Sequence, residues 1–244
     1  MPLYLVSTPL GNLSDISQRA LETLKTAPVI ACEDSRSARR LLSAFNIGGE
    51  GKQIVVYAEH NEVHMAEKLT AALKSGTDVA LISDGGTPLV SDPGYRLVRG
   101  AIDAGVAVVP IPGPCAAIAA LSGSGLPVHG FIFRGFLPKK EGGRRRILES
   151  LKDREETLIF YESPQRVPKV LPNFVEIFGP SRAACLAREL TKIHETFVRM
   201  PLGELSKHVQ DLTLKGECTL LVAGVTRQSR MDEDDDDDDI APHA

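Results

Sequence analysis

The chain has 244 residues, of which 43% are hydrophobic and 25% charged, enough apolar material for one large domain or two smaller ones. No segment approaches the roughly 18 consecutive apolar residues of a membrane span, and the N-terminus lacks the pattern of a secretory signal. The four cysteines lie far apart, with no His/Cys cluster at zinc-ligand spacing. These features predict a soluble, cytoplasmic protein with reduced thiols, no metal and no membrane association.

The net charge of −4 combines two regions of opposite sign. Residues 232–239 are eight consecutive acids; without these eight of the 32 acidic residues, the 28 basic residues are in excess and the rest of the chain carries about +4. Because like charges repel and bury nothing, residues 228–244 are predicted to be a disordered acidic tail. The tail would aid solubility or compete weakly with a polyanion for the basic body.

Short apolar runs alternate with amphipathic stretches over the first half of the chain. The predicted strands cover 3–7, 28–32, 54–58, 78–83 and 106–112. The predicted helices cover 16–25, 35–45, 61–76 and about 94–104. Ser14 or Asp15 is the predicted cap of the first helix. Strands alternating with helices at this spacing predict βα units around a largely parallel sheet.

The pattern changes where Gly, Ser and Pro crowd together near residues 122–130. A linker is predicted at 124–129, between an N-terminal domain of residues 1–123 and a C-terminal domain of residues 130–227. In the second domain, strands are predicted at 131–136, 157–162, 183–190, 194–200 and 217–224, with helices near 142–152 and 164–178. The shorter, less regularly helical connections predict an α/β domain with a mixed sheet.

Three predicted strand ends of the first domain run into loops rich in glycine and proline, at 7–15, 83–94 and 110–117. In an open parallel sheet, ligands bind beyond the carboxyl ends of the strands. Glycine lets the backbone approach a ligand, and proline fixes the shape of the loop beforehand. Three such loops on one edge predict a small-molecule pocket. Their few basic residues favour a partly cationic ligand over a polyphosphate, and no GxGxxG dinucleotide motif follows a strand.

The sequence also contains six characteristic blocks: STPLGNLSDIS, CEDSRSARRLL, SDGGTPLVSDPGYRLV, PIPGPCAAIAALSGSGLP, FRGFLPKK and LIFYESPQR. In this order, from about residue 3 to 225, they resemble the bacterial 16S ribosomal RNA cytidine 2′-O-methyltransferases of the tetrapyrrole methylase superfamily. The resemblance implies two α/β domains with S-adenosyl-L-methionine (SAM) in the cleft between them. It also implies a homodimer, and a substrate cytidine in the decoding centre of the 16S rRNA of the 30S subunit.

By position, the resemblance implies a SAM site formed by the three Gly/Pro loops and by strands of the C-terminal domain. The implied cofactor-binding residues are Pro9, Gly11, Asp84, Gly85, Gly86, Thr87, Pro112, Gly113, Pro114, Cys115, Ala116, Ala117, Phe160, Tyr161 and Ala187. In this interpretation SDGGTP holds the methyl donor, and SDPG closes the loop and caps the next helix. The family usually has alanine at Gly85, serine at Cys115 and histidine at Gln165; the last difference removes a titratable group.

A base would help to remove the proton of the ribose hydroxyl group. Glu162 and Glu189 lead the candidates because both are expected near the cleft between the domains. Each has an alternative role as a salt-bridge or capping residue, and Glu33, Asp34 and Lys192 remain open as further candidates.

An RNA substrate would need positive charge, because contacts to phosphates position RNA without reading its sequence. The candidate RNA-binding residues are Arg36, Arg39, Arg40, Lys139, Lys140, Arg144, Arg145 and Arg146. These residues form two clusters, one at 36–40 and one at 139–146. Each cluster could instead be a solvated helix face. For Arg39 and Arg40, RNA contact and a solvated face are equally supported.

Two other functions are considered. A tetrapyrrole C-methyltransferase of the same fold would have a wide apolar trough and no role for the basic clusters. A non-catalytic RNA-binding assembly factor would lack SAM turnover, and calorimetry with SAM would separate it from an enzyme. The blocks CEDSR and FYESPQR favour the rRNA methyltransferase.

Overall fold

The computed structural model describes residues 1–48, 51–210 and 212–225. The chain forms two compact units, the first Met1–Ala116 and the second starting at Ala117. This division precedes the linker predicted at 124–129, and the predicted acidic tail lies outside the described residues. No helix among the described residues has the length and apolarity needed to cross a bilayer.

A five-stranded parallel sheet forms the centre of the first unit. Its strands are β1 (Leu3–Val6), β2 (Val29–Cys32), β3 (Gln53–Val56), β4 (Val79–Ile82) and β5 (Val108–Ile111). Its helices are α1 (Gln18–Thr26), α2 (Ser35–Ala44), α3 (Glu62–Lys74) and α4 (Tyr95–Asp103). The strand order is β3-β2-β4-β1-β5, and every neighbouring pair is parallel. The prediction of βα units around a parallel sheet is therefore confirmed.

The helices of the first unit cover both faces of this sheet. Leu24 of α1 and Leu42 of α2 pack in one core cluster, whereas Leu69 of α3 and Leu97 of α4 pack in the cluster on the other face. The chain leaves β1 toward the first face and β4 toward the second, and these two strands are neighbours. Loops that diverge in this way open a crevice at the carboxyl edge of the sheet.

The start of the first helix differs from the prediction. Ser17, not Ser14 or Asp15, is the N-cap of α1, and its Oγ accepts a hydrogen bond from Ala20 N at 3.1 Å. Ser14 and Asp15 instead belong to a short 3₁₀ turn, which Asn12 caps. Asn12 Oδ1 accepts a hydrogen bond from Ser14 N at 3.0 Å, which stabilises the turn that precedes the helix.

A mixed sheet forms the centre of the second unit. Its strands are β6 (Phe131–Phe136), β7 (Thr157–Glu162), β8 (Ala183–Arg188), β9 (Thr196–Pro201) and β10 (Cys218–Val222). The helices are α5 (Ala116–Ser124), α6 (Glu141–Glu149), α7 (Val167–Phe178) and α8 (Leu202–His208). The order is β6-β7-β10-β8-β9; β6 and β7 are parallel and the other pairs antiparallel. The predicted mixed sheet is confirmed, whereas α5 and α8 were not predicted.

Contacts with β9 explain why the Gly/Ser-rich end of α5 is helical. Arg199 Nε donates to Ser124 O at 3.1 Å, and the guanidinium lies 4.9 Å from the centre of the Phe197 ring. A Cβ at Gly123 would come within 2.6 Å of that ring. A basic side chain therefore binds the carbonyls at the end of the helix, and only glycine allows the aromatic ring so close.

Candidate functional site

The structure joins the first two Gly/Pro loops by backbone and hydroxyl hydrogen bonds. We call residues 7–15, 83–94 and 112–115, which follow β1, β4 and β5, the ligand loops. Thr8 N donates to Gly86 O at 2.9 Å and Gly86 N to Thr8 O at 3.0 Å. Thr8 Oγ1 also donates to Ser83 O at 3.2 Å, and Ser83 Oγ donates to Gly86 O at 3.1 Å. The first two ligand loops are thus held as one rigid unit.

Thr87 connects the third ligand loop to the other two. Its Oγ1 accepts a hydrogen bond from Ser7 Oγ at 3.2 Å and donates to Pro114 O at 2.9 Å. A single hydroxyl group therefore links all three loops, as the prediction of one shared edge requires.

Three of these hydroxyl residues were missed in the sequence. Ser7, Thr8 and Ser83 are almost fully buried, although they are polar. They follow directly after β1 and β4, and hydroxyl groups immediately after a buried strand are the signal that could have identified them.

Two glycines are required by the close approach of the loops. Gly86 has φ +91°, and a Cβ there would lie 3.0 Å from Leu10 Cδ2. A Cβ at Gly113 would lie 2.8 Å from Ser7 Cβ. A larger residue would be strained at the positive φ of Gly86 and would clash with Ser7 at Gly113.

A cavity of about 330 Å³ lies beside the first two ligand loops. It brings together Pro9, Gly11 and Asp84, which were predicted to share a site, and adds residues of α2. Its lining residues are Thr8, Pro9, Gly11, Leu13, Ser37, Ala38, Arg40, Leu41, Ala44, Ile82, Ser83 and Asp84. The other first-unit candidates continue the ligand loops: Gly85, Gly86 and Thr87 after β4, and Pro112, Gly113, Pro114, Cys115 and Ala116 after β5.

The end of the second ligand loop is held from α3. Leu89 and Ser91 have φ values of 70° and 71°, which non-glycine residues rarely adopt. The loop ends at Gly94, the N-cap of α4, whose N–H donates to Glu62 Oε1 at 3.3 Å. The prediction that SDPG caps α4 is therefore confirmed, because Gly94 is the N-cap, although glycine adds no side-chain hydrogen bond there.

Acidic side chains make the electrostatic potential at this edge negative. Burial, followed by the charges of Glu33 and Asp84, raises the pKa of Asp92 to about 6, although a hydrogen bond with Ser83 opposes this. Burial and then the charge of Asp84 raise the pKa of Glu33. The carboxylates oppose each other's ionisation, so a cation bound among them would be favoured.

Three cofactor candidates of the second unit lie on its sheet. Tyr161 and Ala187 are both aligned with Thr219 of β10, so the three residues form one row across the sheet. Tyr161 Oη accepts a hydrogen bond from Ala117 N at 3.1 Å. The Phe160 side chain points into the core, where its ring contacts that of Phe174 edge-on. Their role in cofactor binding remains a prediction.

The two predicted catalytic carboxylates have other partners. Glu162 is 3% exposed; its Oε1 accepts from Ser163 N at 2.8 Å, and Oε2 forms an ion pair with Arg166 at 3.3 Å. Glu189 Oε1 accepts from Lys192 Nζ at 2.9 Å, and this hydrogen bond lowers the pKa of the carboxyl group. The buried Glu162 Oε2 has no hydrogen-bond partner among the residues that the structure describes, and burial raises the pKa of that carboxyl group. The catalytic role of Glu162 and Glu189 remains a prediction.

The structure divides the predicted basic cluster at 139–146. Lys139, Lys140 and Arg146 are exposed. Arg144 is 7% exposed, and its Nε donates to Asn173 Oδ1 at 2.7 Å. Arg145 forms a bidentate ion pair with the carboxylate of Glu176. Arg144 is buried and Arg145 is paired with a carboxylate, so Lys139, Lys140 and Arg146 are the most accessible charges of this cluster; RNA binding by all five residues remains a prediction.

The three predicted arginines of α2 also have different surroundings. Arg36 forms an ion pair with Asp34 at 3.1 Å. Arg39 donates to Ser35 Oγ at 3.2 Å on the same helix. Arg40 lines the cavity beside the ligand loops. Within the described ranges, no group of three or more His, Cys, Asp or Glu residues could hold a metal ion.

The fold and the ligand loops define a class of protein. The sequence pattern of the family Tetrapyrrole (Corrin/Porphyrin) Methylases matches residues 2–206, and the chain therefore belongs to this family.

Within that class, the chain is similar to proteins named ribosomal RNA small subunit methyltransferase I. It is 49% identical over 224 residues to this protein of Escherichia coli O157:H7, covering 91% of this chain and 77% of the relative. It is 52% identical over 221 residues to the protein of the same name in Mesorhizobium japonicum, covering 90% of this chain and 74% of the relative.

Solved structures agree on the fold. A uroporphyrin-III C-methyl transferase from Thermus thermophilus, complexed with S-adenyl homocysteine, superimposes with a TM-score of 0.65. The superposition covers 95% of this chain and 100% of the solved chain, and the two sequences are 20% identical. At this identity the likeness supports the fold alone.

Proposed function

We propose that this protein is a SAM-dependent methyltransferase that modifies small-subunit (16S) ribosomal RNA at the 2′-hydroxyl group of a cytidine in the decoding centre. The observation that carries this proposal is the linkage of the three ligand loops through Thr8, Gly86 and Thr87 at the carboxyl edge of a parallel sheet. The rRNA substrate is supported by the names of the two bacterial relatives.

The ligand loops fit SAM in shape and in charge. Gly85 and Gly113 leave exposed backbone at the ends of β4 and β5, where a ligand can approach it closely. The negative potential around Glu33, Asp84 and Asp92 matches a cationic sulfonium. When bound, SAM supplies an electrophilic methyl group and leaves as a neutral thioether. We assign its binding to the predicted first-unit residues at the ends of β1, β4 and β5.

The contribution of the protein to the reaction is alignment and proton removal. A new bond forms between the ribose oxygen and the methyl carbon, the methyl–sulfur bond breaks, and the hydroxyl proton passes to a base or to water. The rigid ligand loops restrict the position of the donor, and such alignment supplies several kcal/mol in comparable reactions.

The affinity for SAM is expected to increase with pH through about 6. Below that pH Asp92 is protonated and does not attract the sulfonium; above it Asp92 is charged. A bound cation lowers the pKa of Asp92, and each unit of that shift corresponds to about a tenfold gain in affinity between low and neutral pH. Titration calorimetry from pH 5 to 7.5 would measure the affinity for SAM. Repeating it in two buffers of different ionisation enthalpy should reveal net proton release on binding near pH 6.

The Asp92→Asn variant is the control for that measurement. It should bind SAM with little pH dependence over the same range. S-adenosylhomocysteine, which lacks the sulfonium charge, should show a smaller pH dependence with the unmodified protein. Equal pH dependence for the two ligands would contradict the proposed role of the acidic side chains.

The Glu162→Gln variant tests the predicted base. Because Glu162 is buried against Ser163 N and Arg166, we expect the pH profile of kcat to keep its shape and the Tm to move by only a few degrees. Loss of one ionisation from the kcat profile would instead establish Glu162 as the base.

We further propose that the protein acts in the cytoplasm, where ribosomal subunits are assembled, and as a homodimer. The first proposal is supported by the rRNA substrate, and the second by the family resemblance alone. Sedimentation analysis of the purified protein would decide the second.

The proposed function is tested with 30S subunits from a strain that lacks the corresponding enzyme. Purified protein and isotopically labelled SAM are added, and the rRNA is digested and analysed by mass spectrometry. We expect one labelled methyl group on a cytidine ribose. No label in the rRNA, together with methylation of uroporphyrinogen III, would replace the proposal with the tetrapyrrole reaction.

A further inference from the structure

The loop between β8 and β9, residues 189–195, presents an apolar side chain to solvent. Ile193 at its apex is 94% exposed, more than any other large hydrophobic residue among those the structure describes. Exposing an isoleucine so fully forgoes the free energy of its burial. Single exposed apolar residues are common on protein surfaces, so the conformation of the loop decides whether this one has a function.

The loop is built of two consecutive turns and contains two strained residues. Lys192 N donates to Glu189 O and Glu195 N donates to Lys192 O, both at 3.0 Å. Glu189 and Thr191 have φ values of 52° and 64°. Non-glycine residues adopt this conformation only where their surroundings enforce it, and such strain concentrates at functional sites.

The charged groups of the loop bind one another and neighbouring backbone groups, and these contacts fix its shape. Lys192 Nζ contacts Glu189 Oε1 at 2.9 Å and Glu217 Oε2 at 3.0 Å. Glu195 Oε2 accepts from Thr191 N at 2.6 Å. Arg188 Nη1 reaches Lys215 O at 3.3 Å. The carboxylates of Glu189, Glu195 and Glu217 all bind groups of the protein itself. These contacts restrict the loop and keep the Ile193 side chain exposed.

The loop lies at the same edge of the sheet as the exposed Lys139 and Lys140. Glu162 at the end of β7 and Arg188 at the end of β8 are both aligned with Cys218, so both strands end at the same edge of the sheet. Strand β6 is parallel to β7 and ends there too, just before the exposed Lys139 and Lys140. At the usual spacing of strands, β6 and β8 are about 14 Å apart. A few nucleotides of RNA could span this distance.

We propose that Ile193 is an apolar wedge that contacts an unstacked nucleobase of the substrate RNA, while Lys139 and Lys140 bind phosphates along the same edge. This inference rests on the proposed function, since it concerns how the same substrate is held. Proteins that act on structured nucleic acid displace bases from their stacks, and aliphatic side chains are among the groups they insert. A ribose in folded rRNA becomes accessible to an enzyme when its neighbouring base is displaced.

The Ile193→Ala variant is compared with the Val128→Ala variant. Val128 is also largely exposed (59%), but it precedes β6 and therefore lies at the opposite edge of the same sheet. We expect Ile193→Ala to lower kcat/KM for 30S subunits about tenfold, which corresponds to about 1.4 kcal/mol. Val128→Ala should match the unmodified protein, and both should bind SAM normally by calorimetry. Ile193→Leu should restore most of the activity.

A second measurement detects the displaced base directly. Dimethyl sulfate modifies base nitrogens that are unpaired, so binding of the unmodified protein should increase the reactivity of one or more bases near the methylated nucleotide. Ile193→Ala should abolish this increase. Unchanged activity and unchanged reactivity for Ile193→Ala would overturn the proposal. A change of oligomeric state in that variant, measured by light scattering, would overturn it in favour of a contact between two copies. If the unmodified protein neither binds nor methylates 30S subunits, the proposed function and this inference both fail.

Discussion

Substitution of Gly86 by alanine is expected to weaken the binding of SAM by roughly tenfold or more and to lower the free energy of unfolding by about 2 kcal/mol. Gly86 has φ +91°, and its backbone forms both hydrogen bonds with Thr8 that join the first two ligand loops. A methyl group there would lie 3.0 Å from Leu10 Cδ2, and alanine would be strained at this positive φ, so the bridge between the loops would weaken. Calorimetry with SAM and chemical denaturation would measure the two effects.

Gly76 provides the matched control, because it has φ +95° but lies before β4 instead of after it. A Cβ at Gly76 would have only Met1 Cγ nearby, at 3.8 Å. We expect Gly76→Ala to cost about 1 kcal/mol of stability and to leave SAM binding unchanged. Equal affinities for SAM in the two variants would show that the bridge between Thr8 and Gly86 does not position the cofactor.

Reversal of two charges, Lys139→Glu with Lys140→Glu, is expected to weaken binding to 30S subunits by roughly 100-fold at moderate salt. Both lysines are exposed, whereas the neighbouring Arg144 and Arg145 are bound to Asn173 and Glu176. Phosphate contacts release counterions, so the slope of log K against log salt should fall by about two. Filter binding at several salt concentrations would measure both quantities.

The same reversal at Lys68 and Lys74 is the control, because both lie exposed on α3 of the first unit. That variant carries the same total charge, and we expect it to retain most of the affinity and the original salt slope. If both double variants lost affinity equally, net charge and not a local contact would govern RNA binding.

The sequence was sufficient to predict the elements that depend on local pattern. Strands such as β4 are short apolar runs buried on both faces, and glycine and proline mark the loops that follow them. The hydrogen bonds between the loops could not be predicted from the sequence, because Thr8 and Gly86 are distant in the chain and meet only after the sheet has formed. The hydroxyl groups of Ser7 and Ser83 acquire their roles from that meeting.

The errors arose where a distant partner decides the local structure. No helix is predicted over AAIAALSGS, whereas the structure has a helix there, and Arg199 binds the carbonyl groups at its end. Three consecutive arginines formed one predicted cluster, but a helix turns each side chain by about 100°, so they point in different directions. Asn173 of α7 determines that Arg144 is the buried one.

The strand order of the first unit also has a consequence for synthesis on the ribosome. β1 is made first, but it lies between β4 and β5 and has no neighbour from its own part of the chain. It must therefore remain unpaired until Val79–Ile82 has emerged, and its second edge stays open until Val108–Ile111 follows. Contacts of such long range close slowly and leave apolar edges exposed while the chain grows. Nascent chains arrested before β5 should therefore depend on chaperones, and SAM can stabilise the unit only after all three ligand loops have left the exit tunnel.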